Sequence, residues 1–436
     1  MKVIKNEREF GAFLTALKRR GSSDNPAIAR AVKTILEDVR KSGDEAVLKY
    51  TRRFDDPKAA RLRLSPREIE RHAGKADPEI VKALRISAQR IRKFHGMQTE
   101  KSWSFCEAGS VLGQSIRPLG RVGVYVPGGT AAYPSTVLMN VIPAQVAGVK
   151  EIVLCVPAVG GQLNPYVMSA IKMLGVSEVY RIGGAQAIGA MAYGTKGIKK
   201  VDKIVGPGNI YVATAKRMVF GLVDIDMIAG PSEILIIADD RADAPVIAAD
   251  LLSQAEHDEL ASSVLITDSK RLALAVSDEV QRQLSILKRK KIAEASISRY
   301  GAIVLTKDLR DAVSFSNRIA PEHLEIMTEA PEELLPLVDN AGAVFLGHWT
   351  PEALGDYAAG PNHTLPTNGT SRFFSPLGVY DFYKRSSLVG FTKKGFQRLS
   401  KVVEALADSE GLDAHANTIR IRKEMLRQGT SYQGKD

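Results

Sequence analysis

The chain has 436 residues, 44% of them hydrophobic and 25% charged, a globular composition that excludes a disordered or fibrous protein. Its two cysteines are too few for a disulfide framework, no apolar run approaches the about 20 residues that span a bilayer, and the first residues lack the features of a secretory signal. We therefore expect a cytoplasmic protein, without a membrane partner, that is long enough for more than one domain.

The formal net charge of +11 comes mainly from the first quarter of the chain. Residues 1–110 hold 25 of the 60 Lys and Arg but only 15 of the 49 Asp and Glu. Helices are predicted at residues 26–54 and 65–94, because Asp24-Asn25-Pro26 and Ser65-Pro66 each combine a capping side chain with an early proline. No nucleic-acid-binding motif accompanies the bases, so we interpret them as a solvated helix surface and expect no nucleic-acid partner.

From about residue 120, short apolar runs alternate with helical stretches. Apolar strands that alternate with helices are typical of parallel sheets covered on both faces, so we predict an α/β fold with two sheets. After residue 376 the chain is predicted to be helical and polar. The predicted strands are residues 120–126, 151–157, 178–184, 202–208, 233–239, 263–268, 301–306 and 342–347.

Glycine-rich turns follow three of these runs, at Pro127-Gly128-Gly129, Gly183-Gly184 and Gly206-Pro207-Gly208. Because ligands of parallel α/β sheets bind at the carboxyl ends of the strands, these turns are candidates for a binding site, with ordinary loop glycine as the alternative for each. Neither G-x-G-x-x-G nor a Walker motif is present, so the glycines alone do not identify a dinucleotide.

Four of the seven histidines have a carboxylate or an amide close in sequence. His257 lies three residues after Gln254 on a predicted helix, so both side chains share one face and could hold a ligand or a metal. His323 directly follows Glu322, a combination suited to proton transfer. A surface or structural role remains the alternative for each pair.

The other two of these four histidines, His363 and His415, lie nearer the carboxyl terminus. Residues 355–369 form a Gly- and Pro-rich loop with Asp356 and His363, and His415 follows Glu410 by five residues. Such residue types can bind zinc, but their spacing does not assemble them into one site.

Long blocks of the sequence resemble the histidinol dehydrogenase family. They occur in the family's order and reach about residue 422, and they include RVGVYVPGGTAAYP, GGAQAIGAMAYGT, IVGPGNIYVATAKRMVFG, AGPSEILIIAD, DLLSQAEHD, APEHLEI, GDYAAGPNHTLPTNG and EGLDAHA. The resemblance implies an NAD- and zinc-dependent enzyme of histidine biosynthesis. Such an enzyme oxidises L-histidinol to L-histidine through L-histidinal, using two NAD⁺ in succession.

The resemblance also implies the residues of the site, motif by motif. One Zn²⁺ per subunit would be bound by Gln254, His257, Asp356 and His415. Substrate would contact these ligands and also Ser232, His323, His363 and Glu410. NAD would contact Tyr125, Gln186 and Asn209. The family is homodimeric, so His415 and Glu410 are expected to complete the partner's site.

For the mechanism, we expect His323 to act as general base and Glu322 to activate water that hydrates the aldehyde. Cys155 lies inside an apolar run and is predicted to be a buried hydrophobic residue, which argues against a thiohemiacetal. The alternative substrate is another polar alcohol, such as sulfopropanediol, but His363 and Glu410 match the histidinol pattern. A catalytically inactive binding protein is the remaining alternative.

The family's fold consists of two incomplete Rossmann-like parallel-sheet domains with two terminal segments. For this chain it implies an N-terminal helical arm (1–22), a discontinuous first domain with the metal and catalytic residues (23–124 with 234–376), an inserted domain with the NAD contacts (125–233) and a C-terminal helical dimerisation segment (377–436).

Overall fold

The computed structural model describes residues 1–20, 25–128 and 133–428. Asp24 of the first predicted helix cap, Gly129 of the first glycine turn and residues 429–436 of the predicted C-terminal segment lie outside the described residues. Within the described ranges, no helix is both long enough and apolar enough to cross a membrane.

Three sheets and the helices around them form the structure. The strands are β1 (Lys2–Ile4), β2 (Trp103–Glu107), β3 (Ser110–Pro118), β4 (Arg121–Tyr125), β5 (Glu151–Cys155), β6 (Glu178–Tyr180), β7 (Lys203–Val205), β8 (Asp224–Ile225), β9 (Glu233–Ala238), β10 (Ser262–Thr267), β11 (Gly301–Leu305), β12 (His323–Met327), β13 (Ala343–Leu346) and β14 (Tyr383–Phe391). The helices are α1 (Glu7–Arg20), α2 (Pro26–Ser42), α3 (Asp44–Phe54), α4 (Pro66–Ala73), α5 (Pro78–Gly96), α6 (Pro134–Ala147), α7 (Pro165–Met173), α8 (Gly184–Tyr193), α9 (Ile210–Val219), α10 (Ala244–Ala255), α11 (Lys270–Leu284), α12 (Lys290–Tyr300), α13 (Leu309–Ile319), α14 (Pro331–Leu334), α15 (Glu352–Leu354), α16 (Lys393–Ser409) and α17 (Asp413–Arg427).

A six-stranded sheet has the order β1-β11-β10-β9-β12-β13, with every pair parallel. Its two faces are covered by separate apolar cores, one built with α10, α11 and α12 and the other with α1 and α13. Residues 1–20, predicted as an arm, supply the edge strand β1 and the apolar face of α1. The register places His323 of β12 opposite Ile234 of β9.

A five-stranded parallel sheet has the order β6-β5-β4-β7-β8. Helices α2, α3, α8 and α9 share one apolar core with it. The prediction had grouped α2 and α3 with the other sheet. The α/β fold class with two parallel sheets is confirmed, whereas the domain boundaries stay a prediction.

The chain divides into two compact units, Met1–Thr99 with Leu119–Phe382, and Glu100–Pro118 with Tyr383–Asp436. The second unit contains an antiparallel sheet of order β14-β3-β2 and the packed helices α16 and α17. The sequence predicted helix after residue 376, yet Tyr383–Phe391 is a strand. Most of its residues are exposed, so burial imposed no alternating apolar pattern that could reveal it.

Candidate active site

The candidate catalytic residues lie at the amino-terminal edge of the six-stranded sheet. His323 opens β12, Glu322 precedes it, and Gln254 lies in the last turn of α10. This edge is opposite the carboxyl ends of the strands, whereas the glycine turns expected to bind ligand follow strands of the five-stranded sheet. The site lies at this edge because α10 follows β9 and runs back across the sheet, which brings the end of the helix to the edge where β12 starts.

His323 is 3% exposed, and its two ring nitrogens have different surroundings. Nδ1 lies 2.9 Å from the Glu233 carbonyl oxygen, and since a carbonyl only accepts, Nδ1 donates this hydrogen bond. Nε2 has no hydrogen-bond partner among the described residues, and Asp356 Oδ1 lies 3.6 Å from it. In the neutral ring, Nε2 therefore carries the free lone pair.

Gln254 is fully buried beside this imidazole. With its amide nitrogen turned toward Glu352, it donates to both carboxylate oxygens at 2.8 and 3.1 Å, and its oxygen accepts from the Glu233 amide at 3.2 Å. The opposite orientation would bring two donors together at His323 Nδ1. Gln254 thus links α10 to the carboxylates around His323.

Three carboxylates surround the imidazole. Burial acts to lower the pKa of His323, but Glu352, Glu322 and Asp356 together raise it well above its ordinary value. Burial raises the pKa of Glu322 to about 8, and that of Glu352 to about 7. Burial also acts to raise the pKa of Asp356, but His323 holds it below its ordinary value. Burial thus favours the protonated forms of Glu322 and Glu352, while Asp356 stays ionised beside the imidazolium.

A cation could be bound at this point. Ligand atoms of His323, Glu352 and Asp356 all lie within 4.8 Å of one another. Of the predicted zinc ligands, Asp356 belongs to this group, Gln254 contacts Glu352, and His257 interacts electrostatically with Asp356 and His323. Carboxylate, amide and imidazole groups suit zinc.

The predicted substrate residues Asp356, His363 and Ser232 belong to the first unit, like His323. Asp356 lies in a π-helical turn at Gly355–Ala359, a conformation often found at functional sites. His363 Nδ1 donates to the Asp356 carbonyl oxygen at 3.1 Å and so fixes this turn. Ser232 directly precedes β9, and its carbonyl oxygen accepts from the Ser262 amide.

The predicted NAD residues lie together at the carboxyl edge of the five-stranded sheet. Tyr125 ends β4, and its hydroxyl accepts from the Gly184 amide at 3.0 Å. Gln186 is in the first turn of α8, where its amide nitrogen lies 3.4 Å from Asp55 Oδ2 and its Oε1 is buried with no partner among the described residues. Asn209 caps α9. The two helix amino termini fit the phosphates of a dinucleotide, and the unpaired Gln186 Oε1 can accept a hydrogen bond from a ligand donor.

Glu410 and His415 belong to the second unit. Glu410 follows α16, His415 lies in α17, and both are exposed.

The sequence did not reveal four acidic residues of this region. Glu233 pairs with the buried Arg20, and Glu352 contacts Gln254. Behind Glu352, the Glu325 Oε1 accepts a hydrogen bond from the Glu352 amide at 2.7 Å, and burial together with the neighbouring Asp250 raises the pKa of Glu325. None has a motif of its own; the only signal for Glu325 is its position two residues after His323 on the same strand face.

Comparison with known proteins identifies the family. The histidinol dehydrogenase family model matches residues 18–423. The chain belongs to the histidinol dehydrogenase family. The histidinol dehydrogenase of Geobacter sulfurreducens is 53% identical over 420 residues, covering 95% of this chain and 98% of the relative, and that of Aquifex aeolicus is 53% identical over 421 residues, covering 96% and 98%. The crystal structure of histidinol dehydrogenase from Elizabethkingia anophelis superposes with a TM-score of 0.92 at 38% identity, covering 98% of this chain and 99% of that one. The family expected from the sequence is confirmed.

Proposed function

We propose that this protein oxidises L-histidinol to L-histidine through L-histidinal, reducing two NAD⁺. The observation that carries the proposal is the buried Glu322–His323 pair, in which the free Nε2 of His323 points toward Asp356. The match of the histidinol dehydrogenase family model to residues 18–423 supports the same function. The relatives described above bear this name, which favours histidinol over sulfopropanediol or another polar alcohol.

In the first oxidation, His323 Nε2 takes the hydroxyl proton while hydride leaves the same carbon for NAD⁺. The Nδ1 hydrogen bond to the Glu233 carbonyl supports this role, because it keeps the lone pair on Nε2. A base must be neutral, however, and the carboxylates raise the pKa of His323 and so favour its protonated form. His323 can act as base only when positive charge offsets Glu322, Glu352 and Asp356, which a cationic ligand does.

The second oxidation needs a hydrated aldehyde, since hydride leaves a tetrahedral carbon. Glu322 is proposed to take a proton from water as that water adds to the aldehyde, while His323 returns the proton gained in the first oxidation to the carbonyl oxygen. His323, neutral again, then takes a hydroxyl proton of the hydrate as the second hydride leaves. Cys155 is fully buried at the end of β5, and burial raises the pKa of its thiol to about 12. A buried, protonated thiol supports the hydrate over a thiohemiacetal.

A zinc ion is proposed to bind through Gln254, His257 and Asp356, with His415 supplied by the partner subunit. The closely spaced carboxylates of Glu352 and Asp356 support a cation at this point. Zinc would serve as a template that orients the substrate through its imidazole and amine nitrogens. Ser232 and His363, beside the same carboxylates, are proposed substrate contacts.

NAD is proposed to bind at Tyr125, Gln186 and Asn209. The helix amino termini of α8 and α9 at the carboxyl edge of the five-stranded sheet support this, because such termini attract phosphate.

We also propose a homodimer in which Glu410 and His415 complete the partner's substrate and zinc sites. Helix α16 supports it, because Val402 and Leu406 are each more than half exposed in the single chain. The predicted domain boundaries, 23–124 with 234–376 around 125–233, remain part of the proposal, as does a cytoplasmic location.

One assay tests the function. The purified protein is incubated with L-histidinol and NAD⁺, and NADH and histidine are quantified before chelation, after chelation and after zinc is returned. Two NADH per histidine and zinc-dependent recovery are expected. Activity with sulfopropanediol but not histidinol would contradict the proposal, as would activity that prolonged chelation leaves unchanged.

A further inference from the structure

A buried ion pair lies beneath the glycine turn that follows β7. The Lys216 side chain, on α9, is 3% exposed, and that of Asp226, just after β8, is 1% exposed. The ammonium group of Lys216 donates a short hydrogen bond to Asp226 Oδ1. This pair is not among the residues that the family resemblance places in the site.

Both members of the pair bind the same residue of the turn. Asp226 Oδ2 accepts from the Gly206 amide at 2.7 Å, and Lys216 Nζ donates to the Gly206 carbonyl oxygen at 3.0 Å. Asp226 Oδ1 also accepts from the Met227 amide at 2.7 Å. The two polar backbone groups of Gly206 are thus fixed by one ion pair.

The backbone at Gly206 needs this support. Its φ is +111°, a conformation that side chains other than glycine rarely adopt, and a Cβ there would collide with the Tyr125 carbonyl oxygen. Three residues later, Asn209 caps α9 by accepting from the Tyr211 and Val212 amides. Gly206 therefore connects Tyr125 and Asn209, two of the proposed NAD residues.

Stability alone does not account for such a pair. Removing two charges from water is costly, and buried ion pairs can often be replaced by apolar residues without loss of stability. Lys216 also has no free charge for a phosphate, because Asp226 neutralises it and both groups face Gly206.

We infer that the Lys216–Asp226 pair is a positioning device that holds the Gly206–Asn209 turn in the conformation that receives NAD. This inference rests on the proposed function, because that function places the dinucleotide at this turn. The pair itself does not touch the dinucleotide; it acts through Gly206.

The test measures the Kd of the full-length enzyme for NADH by fluorescence titration. Steady-state kinetics provide a second measurement. Lys216→Met keeps the length of the side chain but removes its charge and its donors. We expect the Kd for NADH to rise by about tenfold, because the variant must order the turn when NADH binds. The KM for NAD⁺ is expected to rise with it, while the KM for histidinol and kcat at saturating NAD⁺ stay within twofold.

The matched control is Lys203→Met. Lys203 is equally buried on β7, but its ammonium pairs with Asp224 and Asp381 at the opposite end of the strand. A similar loss of thermal stability with a Kd for NADH within twofold of the parent is expected for this control. Asp226→Asn, which keeps the shape of the side chain, provides a second variant should Lys216→Met fail to fold.

A Kd that changes less than threefold in the folded position-216 or position-226 variant would overturn the inference, as would an equal change in Lys203→Met. Failure of the proposed function gives a different result, because the parent enzyme itself would then neither bind NADH nor form it from histidinol.

Discussion

Replacing Glu322 with Gln tests whether burial keeps this carboxyl group protonated. Glu322 Oε2 accepts from the Glu233 amide at 2.9 Å, and burial raises the pKa of Glu322 from 4.5 to about 8. Glutamine retains an oxygen for that hydrogen bond and is neutral at every pH. The substitution therefore removes ionisation and changes little else.

The expected change in stability follows from linkage. Because the folded-state pKa lies above the unfolded-state value, the folded protein holds a proton that the unfolded chain loses as the pH rises. Stability is therefore highest below pH 4.5 and falls as the pH rises toward 8. At pH 7, about 2.5 pH units above the ordinary pKa, the cost is about 3 kcal/mol. Glu322→Gln is expected to be more stable than the parent by up to about that amount at pH 7, and equally stable near pH 4.5.

The measurement is urea denaturation of both proteins at pH 5, 7 and 8.5, after chelation and at one fixed protein concentration. Glu332→Gln, at an exposed position, is the control and should change stability by less than about 0.5 kcal/mol at each pH. A variant that is less stable than the parent at pH 7, or a difference that does not grow with pH, would refute the reasoning. The same variant should oxidise histidinol once but stop at histidinal, because no carboxylate activates water.

The other predictions concern the chemical steps. His323→Asn should lower turnover by about 10²- to 10⁴-fold while zinc content, measured by mass spectrometry, is unchanged; near-normal turnover would exclude His323 as the base. Cys155→Ala should retain both oxidations, because the buried thiol with its pKa of about 12 supplies no thiolate; a burst of one NADH per site followed by arrest would contradict the hydrate route. Oxidation of added histidinal should speed up as the pH rises through about 8, since Glu322 acts as carboxylate; a flat profile between pH 6 and 9 would contradict its role.

Of the eleven strands that the structure describes in the two parallel sheets, eight were predictable because both faces of those sheets are buried, whereas the short strands β1 and β8, and β12, were not predicted. Residues 120–126 and 233–239, for example, correspond to β4 and β9, in which every residue is buried. Strand β12 did not stand out in this way. His323 and Glu325 occupy one face of the strand and line the candidate site, while Leu324 and Ile326 pack in the core of the other face. The polar residues of the site therefore interrupt the apolar run that would have indicated a buried strand.

The site was predictable where a residue type carries chemistry by itself. His323 with Glu322, and Asp356 with His363, were identified from the sequence as candidates and lie close together in the structure. Glu352 could not be found in this way, because it comes 29 residues after His323. In the fold its carboxylate lies within 4.8 Å of ligand atoms of His323 and Asp356, and Gln254, at the end of a helix from another part of the sheet, contacts it.

The acidic residues behind Glu352, Asp250 and Glu325, determine which carboxyl groups of the site carry negative charge. Asp250 Oδ2 and Glu325 Oε2 are buried, and neither has a hydrogen-bond partner among the described residues. Burial raises the pKa of both carboxyl groups, that of Asp250 to about 6, and so favours their protonated forms. The pair is then less negative than two free carboxylates, while Glu325 still fixes Glu352 through its amide.

The remaining charge of the region belongs to Glu352 and Asp356, which face His323. Burying carboxylates so close together is unfavourable unless a positive group joins them. His323 supplies one positive charge only by being protonated, which prevents it from acting as a base. We propose that a cationic ligand would resolve this conflict, because it would pair with Glu352 and Asp356 and leave His323 neutral. In that proposal, binding of a cation and activation of the base are coupled through the same carboxylates.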